Sequence, residues 1–141
     1  MGSYGGRANL ALLVLRAVVG VTFLLHGYTK VSGGVPGFAG FLTSLQFPVP
    51  GLLAWLVAAL EFLGGLALIL GLLTQPLATL FAAEMLVTTL RVKVPRGVGF
   101  IGQTTTGWEL DFLLLGSALA LALLGGGAWS LDALWRKPRD R

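Results

Sequence analysis

Three ionisable residues interrupt apolar stretches of this sequence: Arg16, Glu61 and Glu84. Each lies inside its own apolar run, where a charge placed in hydrocarbon is costly. We therefore expect the three side chains to face one another inside a helix bundle, with Arg16 bridging the two glutamates. Because one cation cannot balance two carboxylates at low dielectric, we expect one glutamate to carry a proton near neutral pH. Two interpretations stay open: a ligand or proton site, and a buried ion pair that fixes how the helices assemble.

A second set of polar residues is predicted at the outer end of the bundle, the end away from the two termini. His26 and Lys30 are spaced i, i+4, so they share one face if the first helix continues that far. Trp108 and Glu109 open the last apolar run at the same predicted depth. A helix dipole also accounts for Glu109, and ordinary packing accounts for His26, so a structural role stays open for both. The candidate ligand-binding or proton-relay residues are thus Arg16, His26, Lys30, Glu61, Glu84, Trp108 and Glu109.

Four apolar runs must position these side chains. They cover about residues 10–28, 52–71, 75–91 and 109–125. A bilayer core of about 30 Å needs about 20 apolar residues, and only helices cross it as single segments. The sequence predicts an all-α, integral membrane four-helix bundle that forms one domain over residues 1–141. We expect the first run to be a retained span rather than a removed signal peptide.

The connection between the first two spans carries a further helical pattern. Phe38, Phe41, Leu42 and Leu45 recur at helical spacing after Pro36. This pattern predicts a short amphipathic helix at the membrane interface. Such a helix would be either a plug over the outer end of the bundle or a lid over a lateral entrance for a lipid-soluble ligand.

Basic residues indicate an orientation for the chain. Four spans place both termini on one side, with Arg7, Arg136, Lys137, Arg139 and Arg141. The other side holds Lys30, Arg91, Lys93 and Arg96. The positive-inside rule then favours cytoplasmic termini in a multi-pass plasma membrane protein. The basic loop over residues 91–107 fits either topological charges or a docking surface for a partner or an anion.

Composition limits the classes of function. The chain is 55% hydrophobic and 11% charged, with a mean hydropathy of +0.85, whereas soluble domains carry roughly 25% charged residues. The absence of cysteine excludes disulfides, thiolate nucleophiles and iron–sulfur clusters within this chain, and a single histidine excludes bis-His haem ligation. We predict no metal site, and no basic stripe interleaved with aromatics indicates nucleic acid. A redox cofactor must therefore belong to a partner or be a diffusible molecule.

Several short motifs, taken in order, resemble the DoxX family of membrane proteins. They are His-Gly-x-x-Lys at 26–30 after an Arg-containing helix, Glu-Phe-Leu-Gly-Gly at 61–65, Gly-Leu-Leu-Thr at 71–74, Gly-Trp-Glu-Leu at 107–110 and Trp-Ser-Leu-Asp at 129–132. The resemblance implies four spans and a membrane partner in redox or thiol-stress complexes, since the family's namesake DoxD is the membrane subunit of a thiosulfate:quinone oxidoreductase. Thiosulfate oxidation is not carried over, because that relative's partner subunit is absent from this chain. Glu84 is not part of these motifs.

Three functions stay open at this point. The first is a small subunit or accessory of a membrane redox complex that binds a quinone, whose carbonyls would need hydrogen-bond donors at the edge of an apolar slot. A redox partner protein would then supply the electron carrier. The second is a small proton-coupled transporter, for which four short helices would need a homo-oligomer. The third is a structural anchor in the lipid bilayer without a ligand site. The sequence contains no complete set of catalytic residues, so it leaves open whether the chain is an enzyme.

Overall fold

The computed structural model describes residues 5–136, which form helices and connecting loops without strands. The helices are α1 (Gly6–Gly33), α2 (Val35–Ser44), α3 (Pro50–Ala59), α4 (Gly65–Leu70), α5 (Thr74–Val87), α6 (Glu109–Leu124) and α7 (Leu131–Trp135). The predicted all-α architecture is confirmed, and a helix is present where the pattern after Pro36 predicts one. Lys137, Arg139 and Arg141, used above for orientation, lie outside the described residues.

Two π-helical turns lengthen these helices. The turn Leu60–Gly64 joins α3 to α4 as one continuous helix, Pro50–Leu70, called here the second rod. The turn Thr88–Lys93 continues α5. Pro50 begins the second rod, where the missing proline N–H would be unpaired anyway. Gly71 ends it in the left-handed conformation, with φ 71°.

Two helices in the described range are long and apolar enough to cross a membrane: α1 and the second rod, each with an 18-residue stretch of mean hydropathy 2.2. α6 has 16 residues, and α5 has 14 before its π turn of 6. These are shorter than the roughly 20 residues that a bilayer core usually takes. The prediction of four membrane spans therefore stays a prediction.

The helices pack as two pairs, α1 against the second rod and α5 against α6. The first pair meets backbone to backbone. A Cβ on Gly27 would lie 2.3 Å from the backbone nitrogen of Phe62, and a Cβ on Gly65 would lie 2.5 Å from that of Leu24. Glycine is needed at both positions because a neighbouring backbone cannot retreat as a side chain can. At Gly116 of α6, by contrast, nothing among the described residues lies within 4 Å of a Cβ built there.

An apolar core joins the two pairs. The rings of Phe23 and Phe81 stack with centroids 3.8 Å apart and planes at 14°. Leu68, Ala78 and Leu121 pack into the same buried cluster. A second cluster, formed by Val35, Leu42, Ala54 and Ala58, holds α2 against α3.

The core separates two ends of the bundle. At one end, called here the terminal end, the Asn9 side-chain oxygen accepts a hydrogen bond from the Ala128 nitrogen at 2.8 Å, so both ends of the described chain meet there. At the other end, called here the loop end, lie α2 and the long connection from α5 to α6. The candidate polar residues divide between these two ends.

Candidate functional site

A cavity of about 500 Å³ lies at the loop end, between the two helix pairs. Phe23 of the core lines it, and α2 contributes Phe38, Phe41 and Leu42. Its volume falls in the range of about 300–1,000 Å³ typical of small-molecule sites. The polar residues on its wall are His26, Lys30, Glu61, Glu84, Thr88, Lys93, Thr106 and Asp111. The cavity is therefore mainly apolar, with a small set of ionisable groups.

Glu61 pairs with Lys30 across the contact between α1 and the second rod. Lys30 Nζ lies 2.6 Å from Glu61 Oε2, and the two side chains are 19% and 5% exposed. The pair forms because α1 continues to Gly33, which carries Lys30 beyond the span predicted from the sequence. Gly27, one turn earlier, brings the two backbones into contact. The pair is thus a direct result of close helix packing.

A second ion pair stands on the opposite side of the cavity. Lys93 Nζ lies 2.8 Å from Asp111 Oδ1, and Thr89 Oγ1 donates to Asp111 Oδ2 at 3.1 Å. Neither Lys93 nor Asp111 is among the candidate site residues predicted from the sequence, and Lys93 was expected in the loop over residues 91–107. The available signal was the opposite charge at one depth on two consecutive helices.

Glu84 lies beside the Lys30–Glu61 pair. Its carboxyl group lies close enough to that of Glu61 for the two groups to interact through charge. Its Oε2 atom is buried and has no hydrogen-bond partner among residues 5–136. A buried polar atom without a partner costs free energy. A ligand that supplies a donor to this oxygen would remove that cost.

Both π-helical turns lie on the cavity wall. Leu60–Gly64 carries Glu61, and Thr88–Lys93 carries Lys93. A π turn interrupts the α-helical register, so it changes the direction of the side chains that it carries, and such turns occur frequently at functional sites. Each ion pair of the cavity therefore has one partner on a π turn.

Cation–π contacts attach α2 and its following loop to the rest of the loop end. They are Lys30 over Phe38 at 5.1 Å, Arg96 over Phe41 at 5.5 Å and Arg91 over Phe47 at 5.3 Å. Each contact of this kind contributes about 0.5–1 kcal/mol at an exposed position. Because Phe38, Phe41 and Phe47 also line the cavity, these contacts hold part of its wall in place.

The cavity reaches the outer surface along α5. Leu80, Ala83 and Val87 line the cavity and are also exposed. Their i, i+3, i+7 spacing places them on one face of the helix. This edge is called here the lateral opening, and it gives an apolar molecule a route from the side of the bundle.

Comparison with known proteins shows the family of this chain. The DoxX family profile matches residues 11–94. The chain belongs to the DoxX family. The protein named "Putative oxidoreductase CatD" from Bacillus subtilis (strain 168) is 33% identical over 126 residues, which cover 88% of this chain and 86% of the relative.

Two relatives of this DoxX-family chain come from Escherichia coli (strain K12). Inner membrane protein YphA is 28% identical over 138 residues, covering 92% of this chain and 93% of the relative. Inner membrane protein YqjF is 31% identical over 132 residues, covering 92% and 95%. No solved structure matches the chain significantly.

Arg16 of this DoxX-family chain lies at the terminal end and is 2% exposed. Its guanidinium donates to the backbone carbonyl of Ile69 at 3.3 Å and to those of Gly126 and Trp129. Asp132 adds charge attraction. The predicted bridge from Arg16 to the two glutamates is therefore wrong, because the segment after α6 folds back onto the bundle and supplies other partners.

The same segment after α6 brings two of the DoxX-like motifs into contact. The Asp132 carboxylate accepts hydrogen bonds from the backbone nitrogens of Leu73 at 2.7 Å and Thr74 at 2.9 Å, at the start of α5. The Asp132 nitrogen in turn donates to the Gly71 carbonyl at 2.9 Å. The motifs at 71–74 and 129–132 thus contact each other, as those at 26–30 and 61–65 do through Lys30 and Glu61.

The remaining candidate residues lie apart from the cavity. The Trp108 ring packs edge-on against Phe100 with centroids 4.5 Å apart, and the Glu109 nitrogen donates to the Phe100 carbonyl at 3.0 Å. Neither Trp108 nor Glu109 is among the described residues that line the cavity. Of the predicted set, the structure brings together His26, Lys30, Glu61 and Glu84.

Proposed function

We propose that this DoxX-family chain is a multi-pass membrane protein that binds a quinone-like, lipid-soluble molecule in its loop-end cavity. We further propose that it serves as a subunit or accessory of a membrane redox assembly. The observation that carries the proposal is the apolar cavity with Lys30–Glu61 and Lys93–Asp111 on its wall and a lateral opening along α5.

Surface composition supports a position in the bilayer. Val14, Val18, Val21 and Leu25 are exposed along α1, and they form part of a much larger apolar exterior. Extended apolar surfaces of this kind belong against lipid or another apolar partner. Two relatives are named inner membrane proteins, which agrees with this environment.

A four-span topology follows from this proposal. α6, at 16 residues, is about 24 Å long at 1.5 Å per residue, and a bilayer accommodates such a helix by local thinning. Both termini then lie on one membrane side. The charge distribution of the sequence favours the cytoplasmic side for the termini, which would place the cavity toward the outer face.

The chemistry of the cavity suits a quinone ring. Aromatic and aliphatic side chains supply the apolar walls, and a quinone carbonyl needs a hydrogen-bond donor at the edge. His26, Lys30 and Lys93 carry such donors on the cavity wall. Arg16 and Trp108, also considered as donors from the sequence, lie elsewhere, so we assign them no contact with the ligand.

The redox assignment rests on relatives and on what the chain lacks. One relative is named an oxidoreductase, with that activity described as putative. This chain has no cysteine and one histidine, so a partner protein would carry the electrons. The ligand would then shuttle between that partner and the membrane through the lateral opening.

The packing favours a binding site over the two alternatives. Phe23, Phe81, Leu68 and Leu121 fill the core between the cavity and Arg16, and an apolar plug of this kind interrupts a proton path across the bundle. A structural anchor would call for a tightly filled interior, whereas about 500 Å³ is open here. We therefore prefer the binding function.

Native mass spectrometry of protein gently extracted from its own membrane tests this proposal. We expect a co-purifying quinone with the wild type and its loss in Ala83→Trp, which places a large ring at the lateral opening. Ala59→Trp is the matched control, because Ala59 is exposed on the second rod and lies off the cavity. Phospholipid alone on the wild type, or equal quinone on all three proteins, would contradict the proposal.

A further inference from the structure

We infer that the cavity selects ligands that donate a hydrogen bond, so that the reduced, hydroxyl-bearing form of a quinone-class molecule binds more tightly than the carbonyl form. The group responsible is Glu84. This inference rests on the proposed function, since it concerns the same cavity. It goes further by stating which redox form of the ligand the protein holds.

The lysines of the cavity are already engaged. Lys30 Nζ donates to Glu61 at 2.6 Å, and Lys93 Nζ donates to Asp111 at 2.8 Å and to the Gly107 carbonyl at 3.1 Å. A ligand carbonyl must share these donors with carboxylates, which are stronger acceptors. The free energy that a carbonyl ligand gains from these two lysines is therefore small.

Glu84 presents the opposite situation. Its Oε2 atom is buried without a hydrogen-bond partner among the described residues, and Glu84 lines the cavity. Glu84 also forms no ion pair within residues 5–136, whereas Glu61 and Asp111 each have a lysine. A ligand hydroxyl that donates to this oxygen supplies the missing partner at no cost to another bond.

The chemistry of a carboxyl group favours a hydrogen-bond donor at this oxygen. Each oxygen of a carboxyl group can accept a hydrogen bond whether or not the group carries a proton. A ligand hydroxyl therefore satisfies the buried Oε2 atom of Glu84 in either state. A ligand carbonyl has no proton to donate, so it leaves a carboxylate oxygen without a partner.

The lateral opening leads to this group. Ala83 of the opening immediately precedes Glu84 on α5, and both line the cavity. A flat ring that enters along α5 therefore comes into a cavity whose wall includes both Glu84 and Phe23. Glu84 thus lies one residue along the chain from the lateral opening.

A binding comparison on the full chain in lipid nanodiscs tests this inference. Three matched probes are titrated under argon by calorimetry: 1,4-naphthoquinone, its hydroquinone kept reduced with dithionite, and the dimethyl ether of that hydroquinone, which cannot donate. We expect the hydroquinone to bind the wild type about tenfold more tightly than either other probe, as one recovered hydrogen bond predicts. We expect Glu84→Gln to reduce that ratio below about threefold, because an amide can also donate to a carbonyl. Glu109→Gln, the same change off the cavity, should keep the wild-type ratio.

The outcomes separate the two claims. If all three probes bind the wild type equally, the cavity is a binding site and the hydroxyl preference is wrong. If no probe binds, both the proposed function and this inference fail. A full preference in Glu84→Gln, with an unchanged circular dichroism spectrum, would overturn the assignment to Glu84. If Glu84→Gln does not fold, the comparison of the three probes on the wild type still decides whether the cavity prefers the hydroxyl form.

Discussion

Lys30 Nζ lies 2.6 Å from Glu61 Oε2, on two helices that touch backbone to backbone at Gly27 and Phe62. This relationship couples helix packing to the polar wall of the cavity. The close approach fixes where the two side chains meet, and the ion pair in turn compensates a carboxylate that is 5% exposed. A change in either part is expected to affect the other.

Removal of the lysine should leave Glu61 without its cation. We expect Lys30→Met to lower the free energy of unfolding by about 3 kcal/mol, since one partner of a largely buried pair remains uncompensated. Denaturant titration in detergent measures this change. The double variant Lys30→Met/Glu61→Gln should recover most of the loss, because no unpaired charge remains. Arg7→Met, at an exposed cation, is the control, and an equal loss in the single and double variants would contradict a stabilising pair.

Two glycine substitutions should have opposite effects. Gly27→Ala places a Cβ 2.3 Å from the backbone of Phe62, so we expect a loss of about 2 kcal/mol from overpacking. Gly116→Ala meets nothing within 4 Å among the described residues, so the better helix propensity of alanine should add about 0.5–1 kcal/mol. Thermal unfolding of both variants gives the comparison. A neutral Gly27→Ala would show that the helices do not approach as closely as described.

Substitution of Arg16 tests whether its guanidinium binds backbone carbonyls at the terminal end instead of bridging the two glutamates. Arg16→Met leaves the carbonyls of Ile69, Gly126 and Trp129 without their donor, so we expect a loss of about 3 kcal/mol. Because the guanidinium lies apart from the cavity, this loss should be the same in a Glu61→Gln background. A double-mutant cycle measures the coupling. A coupling above about 1 kcal/mol would restore the bridge that the sequence suggested.

Asp132 should act as a capping group for α5. Its carboxylate accepts from the nitrogens of Leu73 and Thr74, so Asp132→Ala should cost about 1 kcal/mol and speed amide exchange at these two residues. Hydrogen exchange followed by mass spectrometry reports this locally. Ser130→Ala is the control, since Ser130 accepts from Ala133 at the start of α7 instead. Unchanged protection at the start of α5 would argue against the cap.

Hydropathy and spacing were sufficient to predict the helices and much of the cavity set. The position of Glu61 and Glu84 inside apolar runs marked both residues as candidates, and the i, i+4 spacing of His26 and Lys30 placed that pair on one helix. These features depend on residues that are close together in the sequence, so the sequence pattern was sufficient to predict them.

The hydrogen-bond and ion-pair partners of the polar side chains were harder to predict, because they depend on where helices end and on how loops fold back onto the bundle. The opposite charges of Arg16 and the glutamates predicted a bridge between them, yet the segment 125–132 brings carbonyl groups that a charge count does not include. Lys30 joined Glu61 because α1 extends to Gly33. Lys93 reached Asp111 because a π turn continues α5 through the residues assigned to a loop. Backbone acceptors and π turns have little signature in side-chain patterns.

Photolabelling with a short-chain azidoquinone tests the central claim most directly. The labelled protein is digested and the modified residues are identified by mass spectrometry, with and without excess unlabelled quinone. We expect saturable labels on cavity residues such as Phe38, Leu80 and Met85, and their loss in Ala83→Trp but not in Ala59→Trp. Labels that resist competition and fall on outward residues such as Leu119 and Leu123 would contradict a quinone site in this cavity.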